Sequence, residues 1–447
     1  MKKSKPLSRR DFIGKSAKGT AGMIAAGTLF STARPERVLG ANDRLLVAAI
    51  GTNSRGNYLA KVFAENPGAE IKYVCDVDSR VIEKTTAAVA GVQQKKPKGL
   101  KDFRKALDDP QLDAVAIAMP DHWHAPAAIL ALQAGKHVYV EKPCGHNPRE
   151  GELLVLAQNK YRKIVQMGNQ QRSSLEAIEI IKEIRNGIIG RPYYGRAWYA
   201  NGRGPIGFGK HAPVPSWLDY KLWQGPAPRV PFRDNVIHYN WHWFWNWGTG
   251  ETCNNATHEL DICRWALDAD YPTKVSSTGG RYHYNDDWEA YDTQFVGFEF
   301  EGGKTITWEG RSCNPFPVMN RGRGATIHGE TGTVLMDRNG YILYDKGNKV
   351  VKTVSASERS KTMDTTGGGS LTERHIQNFL DSVRQSAQPR SPIDDGHKST
   401  LMCHLGNIAQ RVGRTLDCDP GNGHILNDTE AMKLWGRAYE PGWEPRV

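Results

Sequence analysis

The stretch from Leu45 to Asp76 restricts the fold of this chain more than any other. Leu45-Leu46-Val47-Ala48-Ala49-Ile50 is an unbroken apolar run, the pattern of a strand buried on both faces. It stops at Gly51-Thr52-Asn53-Ser54-Arg55-Gly56, after which Leu59, Val62 and Phe63 recur at the spacing of one helix face. A second strand over 71–75 delivers Asp76, twenty residues beyond Gly56. Strand, glycine turn, helix, strand and acid in that order predict a Rossmann dinucleotide unit. Gly51 permits the sharp turn, and Gly56 lets helix and strand approach closely. The loop residues Asn53, Ser54 and Arg55 lead into a helix N-terminus whose free N–H groups and partial positive charge suit a pyrophosphate. Asp76 would accept hydrogen bonds from ribose hydroxyls and repel a 2′-phosphate, which favours NAD over NADP, with Arg55 or Arg80 able to soften that preference. Asn53 stands where the full fingerprint has its middle glycine.

Two further apolar strands follow. Residues 114–119 end at Pro120-Asp121-His122-Trp123-His124, and residues 137–140 end at Glu141-Lys142-Pro143. Both endings fall at strand carboxyl ends, where doubly wound sheets bind ligands. His122 and His124 have the spacing of metal ligands but no third ligand at a matching distance, so they are expected to be polar loop and helix-start residues, with no metal bound.

A Rossmann turn, a strand end with Met119, Pro120 and His124, and the Glu141-Lys142-Pro143 strand end together resemble the Gfo/Idh/MocA family, the glucose–fructose oxidoreductases, inositol dehydrogenases and their relatives. The likeness spans nearly the whole chain after residue 41. It implies an N-terminal Rossmann doubly wound parallel sheet and a C-terminal α/β domain with an open, largely antiparallel sheet. It also implies homo-oligomers and a carbohydrate substrate, with Lys142 beside the nicotinamide and Pro120, His124 and Glu141 around it.

The second half agrees with that architecture. A helical pattern over 174–185 gives way to strand-like segments at 193–199, 274–278, 292–301, 304–310, 324–329 and 333–337. Val296, Phe298 and Phe300 alternate as on a sheet with one covered face. Helical patterns at 371–385 and 396–416, and a tail at 431–439, complete the domain. Asn254-Asn255-Ala256-Thr257-His258-Glu259-Leu260-Asp261 is similar to the family's D-x-G-x-H-x-x-D segment, which assigns His258 to catalysis. Asn254 replaces the acid and Ala256 the glycine. An amide holds a substrate hydroxyl or orients the histidine but relays no proton, so Lys142 and His258 are expected to share the proton work. Asn254, Gln170, Arg172 and Trp243 are candidate substrate contacts. Trp243 belongs to a segment, 241–247, with four tryptophans, whose rings serve either as sugar-stacking faces or as core. Asp286, Asp287, Glu289 and Asp292 read as a solvated acidic hairpin loop, or less readily as a calcium site.

Residues 1–41 read as an address. Ser8-Arg9-Arg10-Asp11-Phe12-Ile13 follows a basic start and precedes a weakly apolar run, 20–30, too short to span a bilayer. Basic, apolar and small-residue regions in that order describe an export signal, and the paired arginines resemble a twin-arginine signal, cleaved after Ala33 or Ala41. The chain is therefore expected in the periplasm, exported already folded and with NAD(H) tightly bound, because free NAD is scarce there. The signal also explains the charge. Of the net +11, residues 1–41 account for +7, and the remaining +4 carries no strong polyanion signal, so no nucleic-acid partner is expected. The seven cysteines are scattered without a disulfide framework. The expected divisions are thus 1–41 export signal, 42–165 NAD-binding domain, and 166–447 substrate and oligomerisation domain.

Overall fold

The computed structural model describes residues 44–356 and 369–447; the export signal expected at 1–41 lies outside them. The first half alternates strand and helix: β1 (Leu45–Ile50), α1 (Arg55–Glu65), β2 (Ala69–Cys75), α2 (Ser79–Gln93), β3 (Lys98–Leu100), α3 (Arg104–Leu107), β4 (Ala114–Ile117), α4 (Asp121–Gln133), β5 (His137–Val140), α5 (Pro148–Tyr161) and β6 (Val165–Met167). The six strands form one parallel sheet in the order β3-β2-β1-β4-β5-β6. The order reverses beside β1, which opens a crevice between the carboxyl ends of β1 and β4, the place where such sheets bind ligands. Apolar residues cover both faces. Leu59, Val62 and Phe63 of α1 pack on one side, and Ile129 and Leu132 of α4 with Leu154 of α5 on the other.

The chain continues through α6 (Leu175–Arg185), capped by Ser174 Oγ on the Ala177 N–H at 3.2 Å, then β7 (Pro192–Ala200), α7 (Tyr220–Gln224) and α8 (Thr257–Leu267). Next come β8 (Lys274–Gly280), β9 (Thr293–Phe300), β10 (Lys304–Arg311), β11 (Arg323–Gly329), β12 (Gly332–Asp337), β13 (Gly340–Asp345) and β14 (Val350–Ser355). The last elements are α9 (Gly369–Val383), α10 (Ile393–Val412), β15 (Leu416–Asp417) and α11 (Thr429–Met432). The second sheet runs β14-β13-β12-β11-β7-β10-β9-β8-β15, antiparallel throughout except where β10 lies parallel to β7. Val296, Phe298 and Phe300 face the core under α6, α8 and α10, while Phe295 and Glu299 alternate onto the free face.

Three expected boundaries move. Strand β6 completes the first sheet, so a division after residue 165 would cut it from its partner β5. Helix α9 returns to the first domain, where Ile376, Phe379 and Leu380 join the core of β1 and α1. The tail expected as helix over 431–439 is helical only at Thr429–Met432; beyond it Trp435 is anchored by its indole N–H on Glu152, 3.2 Å away. Strands β13, β14 and β15 were not legible in the sequence.

Candidate active site

A cavity of about 470 Å³ lies between the carboxyl ends of the parallel sheet and one end of the second domain. Its nucleotide wall begins where β1 meets α1. Gly51 has φ +76°, and a Cβ there would sit 2.7 Å from the Met119 backbone nitrogen. A Cβ on Gly56 would fall 1.8 Å from the Gly51 carbonyl oxygen, so only glycine lets α1 start this close to β1. Asn53, Ser54 and Arg55 line the cavity at the α1 N-terminus, and no side chain caps that terminus. Asp76, at the end of β2, accepts the Thr52 N–H at 2.6 Å and the Asp78 N–H at 3.0 Å, one on each oxygen. The Thr52 hydroxyl also reaches Oδ2, at 3.5 Å, so Oδ1 is the oxygen that keeps a lone pair for a hydroxyl. Arg80 is spent on Asp78 at 2.7 Å and over the Trp217 ring at 3.4 Å, and Arg55 on Glu141 at 2.9 Å, so neither is free to favour a 2′-phosphate.

The ends of β4 and β5 supply the reacting end. His124 ties them together, with its ring nitrogens 2.6 Å from the carbonyl oxygens of Met119 and Pro143. Pro120 precedes α4 and lines the cavity. Glu141 is buried against Arg55 and Gln170, and Gly168 leaves room for it, since a Cβ there would lie 2.8 Å from its carboxyl carbon. Burial alone would raise the Glu141 pKa; the Arg55 and Lys142 charges outweigh it and hold the group below the ordinary carboxylate range. Lys142 Nζ crosses to the second domain, donating to the Asn254 backbone carbonyl at 2.7 Å and to Asn254 Oδ1 at 2.9 Å. Burial lowers its pKa from the usual lysine value, against the opposing fields of Glu141 and Asp121.

The facing wall is built by a wide π-turn, Thr252–Ala256, running into α8. It brings Asn254, Asn255 and His258 to the cavity. His258 is buried, and its Nδ1 makes no hydrogen bond among the described residues. Burial, followed by the charges of Arg338 and Lys142, pushes its pKa well below the usual histidine value, so the ring is neutral. Lys142 and His258, 116 positions apart in the sequence, therefore face one space.

Two candidate substrate residues are corrected. Arg172 is buried away from the cavity, in ion pairs with Asp261 and Asp395, each at 2.7 Å. Trp243 is core, stacked on Trp288 with ring centres 3.9 Å apart. Of the four tryptophans in 241–247, only Trp241 lines the cavity; the segment is a 3₁₀ turn, Asn240–Trp243, so strand alternation does not apply. Gln170 reaches the cavity but donates to Glu141 and Tyr139, each at 3.0 Å, which makes it a support for Glu141. The acidic cluster is no solvated loop. Asp286 accepts the Ile206 N–H at 2.8 Å, Asp287 that of Gly209 at 2.6 Å, and Glu289 that of Trp245 at 2.8 Å, so these carboxylates pin neighbouring loops of the second domain. His122 Nε2 lies 3.0 Å from the Trp223 carbonyl oxygen, and burial drives its pKa down to about 3. No trio of metal-ligating side chains gathers among the described residues.

Sequence reasoning missed Tyr199, Asn201, Arg203, His238, Tyr239, His242 and Arg323, which also line the cavity. Arg203 and Arg323 are held from behind by buried acids. Arg203 donates to Glu251 at 2.6 and 3.2 Å, and Arg323 to Glu259 at 2.8 and 3.0 Å. His242 sits in the tryptophan-rich segment 241–247, and His238 and Tyr239 stand just before it; the two arginines carried no sequence signal.

Residues 45–169 match the Gfo/Idh/MocA oxidoreductase family, NAD-binding Rossmann fold, and residues 193–444 match its C-terminal alpha/beta domain. A glycosyl hydrolase family 109 protein from Saccharopolyspora erythraea is 29% identical over 232 residues, 48% of this chain and 50% of the relative. The chain thus spans about half the length of the curated relatives it matches. Among solved structures, a levoglucosan dehydrogenase in complex with NADH and levoglucosan superposes with TM-score 0.66 at 18% identity, covering 84% of this chain and 99% of the other. The WlbA dehydrogenase from Bordetella pertussis, in complex with NADH and UDP-GlcNAcA, gives 0.62 at 19% identity, over 85% and 99%. At these identities the likeness shows the fold.

Proposed function

The chain belongs to the Gfo/Idh/MocA family of NAD-binding oxidoreductases, and from that membership we propose that it oxidises a secondary hydroxyl, at C3, of a sugar or glycoside. One observation carries this reading: Lys142 and the buried, neutral His258 line one cavity whose other wall is a dinucleotide site. The uncapped α1 N-terminus, the glycine contacts and Asp76 fit NAD, with Asn53, Ser54 and Arg55 at the pyrophosphate and Asp76 at the ribose. NAD, when bound, supplies the hydride acceptor. The protein orients the substrate and takes the proton. Burial populates the neutral Lys142 amine nearer to neutral pH than for a free lysine, and in that form Nζ accepts the hydroxyl proton. His258, a neutral imidazole lining the same cavity, holds the same hydroxyl. Asn254 fixes Nζ and cannot compete for the proton. Trp241 and Tyr239 offer ring faces to the apolar side of a pyranose.

A second reading is favoured by the family 109 relatives: glycoside cleavage without net redox change. In it oxidation at C3 makes the C2 hydrogen acidic, loss of the C2 proton expels the C1 substituent, water adds across C1–C2 with a proton returning to C2, and the hydride removed from C3 in the first step is returned there to restore the alcohol. Incubating the mature protein with a panel of glycosides, with and without a dye acceptor, separates the two. A ketone that appears only with acceptor supports the oxidoreductase, and a free reducing sugar without acceptor supports the glycosidase. Neither product, across the panel, would sink both and leave an NAD-binding partner protein.

We place this activity in the periplasm on the strength of residues 1–41, with NAD(H) carried out in the folded protein. Denaturing the exported protein is expected to release near-stoichiometric NAD. We also assign the free face of the second sheet to contact with a second copy, which sedimentation would detect as a dimer or tetramer.

A further inference from the structure

Position 254 holds an amide where the resembling family has an acid. A carboxylate that this amide does touch, Glu251, lies three residues earlier, at the start of the π-turn, buried and outside the cavity lining. Its oxygens collect donors from several directions. Arg203 Nε and Nη2 donate at 2.6 and 3.2 Å, Ser312 Oγ at 3.0 Å, Asn254 Nδ2 at 3.4 Å, and Asn255 Nδ2 makes a further bond. The bond from Asn254 decides an orientation. A side-chain amide has a donating and an accepting end. With Nδ2 turned to Glu251, Oδ1 is turned to Lys142 Nζ, where it accepts at 2.9 Å. With the amide reversed, its NH₂ would oppose the Nζ donors.

We propose that Glu251 is the displaced acid of this site, a positioning residue that acts through Asn254 to set the orientation and the protonation of Lys142. The proposal rests on the reading of Lys142 as the proton acceptor. The displacement has a physical consequence. A carboxylate at position 254 would form an ion pair with Lys142 and hold it as ammonium, a poor base. Set back behind an amide, the same charge acts over a longer path and is shared with Arg203, so its hold on the amine is weaker. Glu251 is available for this role because it stays ionised: burial would raise its pKa, but the Arg203 charge and hydrogen bonds outweigh burial and lower it. The groups facing Lys142 from the other elements, Glu141, Asp121 and Arg55, are unchanged by any substitution at 251.

The test reads the amine directly and needs no substrate. In the protein as isolated, the rate of Lys142 acetylation by acetic anhydride, followed by peptide mass spectrometry across pH, gives the midpoint of its ionisation. Glu251→Gln is expected to lower that midpoint by about one pH unit, a tenfold change in the ammonium-to-amine ratio. The charge-swapped double variant, Glu251→Gln with Asn254→Asp, is expected to return it to or above the wild-type value. Glu251→Asp keeps the charge and withdraws it by one methylene. It should give a smaller downward shift, and it serves as the test if the glutamine variant does not fold. A purely structural Glu251 would change melting temperature in all three without this ordering. An unmoved midpoint in a folded Glu251 variant, or a swap that fails to restore it, overturns the proposal. Shifted midpoints without sugar oxidation would leave the assignment intact and remove the proposed function; oxidation with unmoved midpoints would do the reverse.

Discussion

The two walls of the cleft bury polar groups in different ways. On the nucleotide wall, Asp76 is satisfied by backbone N–H groups from residues 52 and 78, 24 and 2 positions away and within one strand–turn–helix–strand unit. On the substrate wall, Arg203 and Arg323 line the cavity while their acids, Glu251 and Glu259, sit behind them, 48 and 64 residues away. The first wall is a single supersecondary motif. The second is a layer of side chains propped by a deeper layer, so a change at its surface leaves a charge behind.

The largest effect is expected where the walls meet. Lys142→Ala removes the proton acceptor and should cost on the order of 10⁴-fold in turnover, about 5 kcal/mol, with NAD still bound. Stopped-flow absorbance and nucleotide analysis of the same sample check both halves. In the wild type the sign of the pH dependence follows from the lowered Lys142 pKa. The base is the neutral amine, so turnover rises with pH, with a midpoint below the 10.5 of an ordinary lysine. A rate that falls over that limb would break the assignment.

The next effect separates the walls from the core. Arg172→Ala and Arg323→Ala each strand a buried carboxylate, Asp261 and Glu259, and each should cost about 3–5 kcal/mol of stability, read by thermal or denaturant unfolding. Only Arg323→Ala should also raise KM in the protein that remains folded, because only Arg323 lines the cavity. An equal KM change in both would return Arg172 to the substrate site.

Trp241 and Trp243 make a smaller and sharper contrast. Trp241→Ala should raise KM about tenfold, by removing about 1–1.5 kcal/mol of ring contact, besides the stability lost because the ring is also packed in a core cluster, and isothermal titration of the folded variant with a product sugar would show it. Trp243→Ala should unfold early with KM unchanged. Smallest is Asp76→Asn, which keeps the shape and removes the charge. It should weaken NAD several-fold and narrow the preference over NADP, measured by competition for the nucleotide-stripped protein.

What was legible follows the same division. The turn at Gly51, the helix start and Asp76 were readable because each is a short segment whose geometry favours those residues, and Glu141-Lys142-Pro143 was readable by its place at a strand end and by resemblance. Asn254 and His258 were readable by resemblance. Arg172 was misread because an arginine beside a strand end looks the same in sequence whether it faces a cleft or a buried Asp261. Trp243 was misread because four tryptophans in seven positions give no phase until the backbone is known to turn as a 3₁₀ helix.

The sequence alone determined the parallel sheet and the nucleotide crevice, since buried strands and glycine turns are dictated by neighbours along the chain, and resemblance added Lys142 at its mouth. Only the tertiary structure decided which arginines and tryptophans reach the substrate and that Glu251 stands behind Asn254. Those facts depend on segments tens of residues apart being packed together, and a buried charge finds its partner in space, with no trace in the spacing of residues.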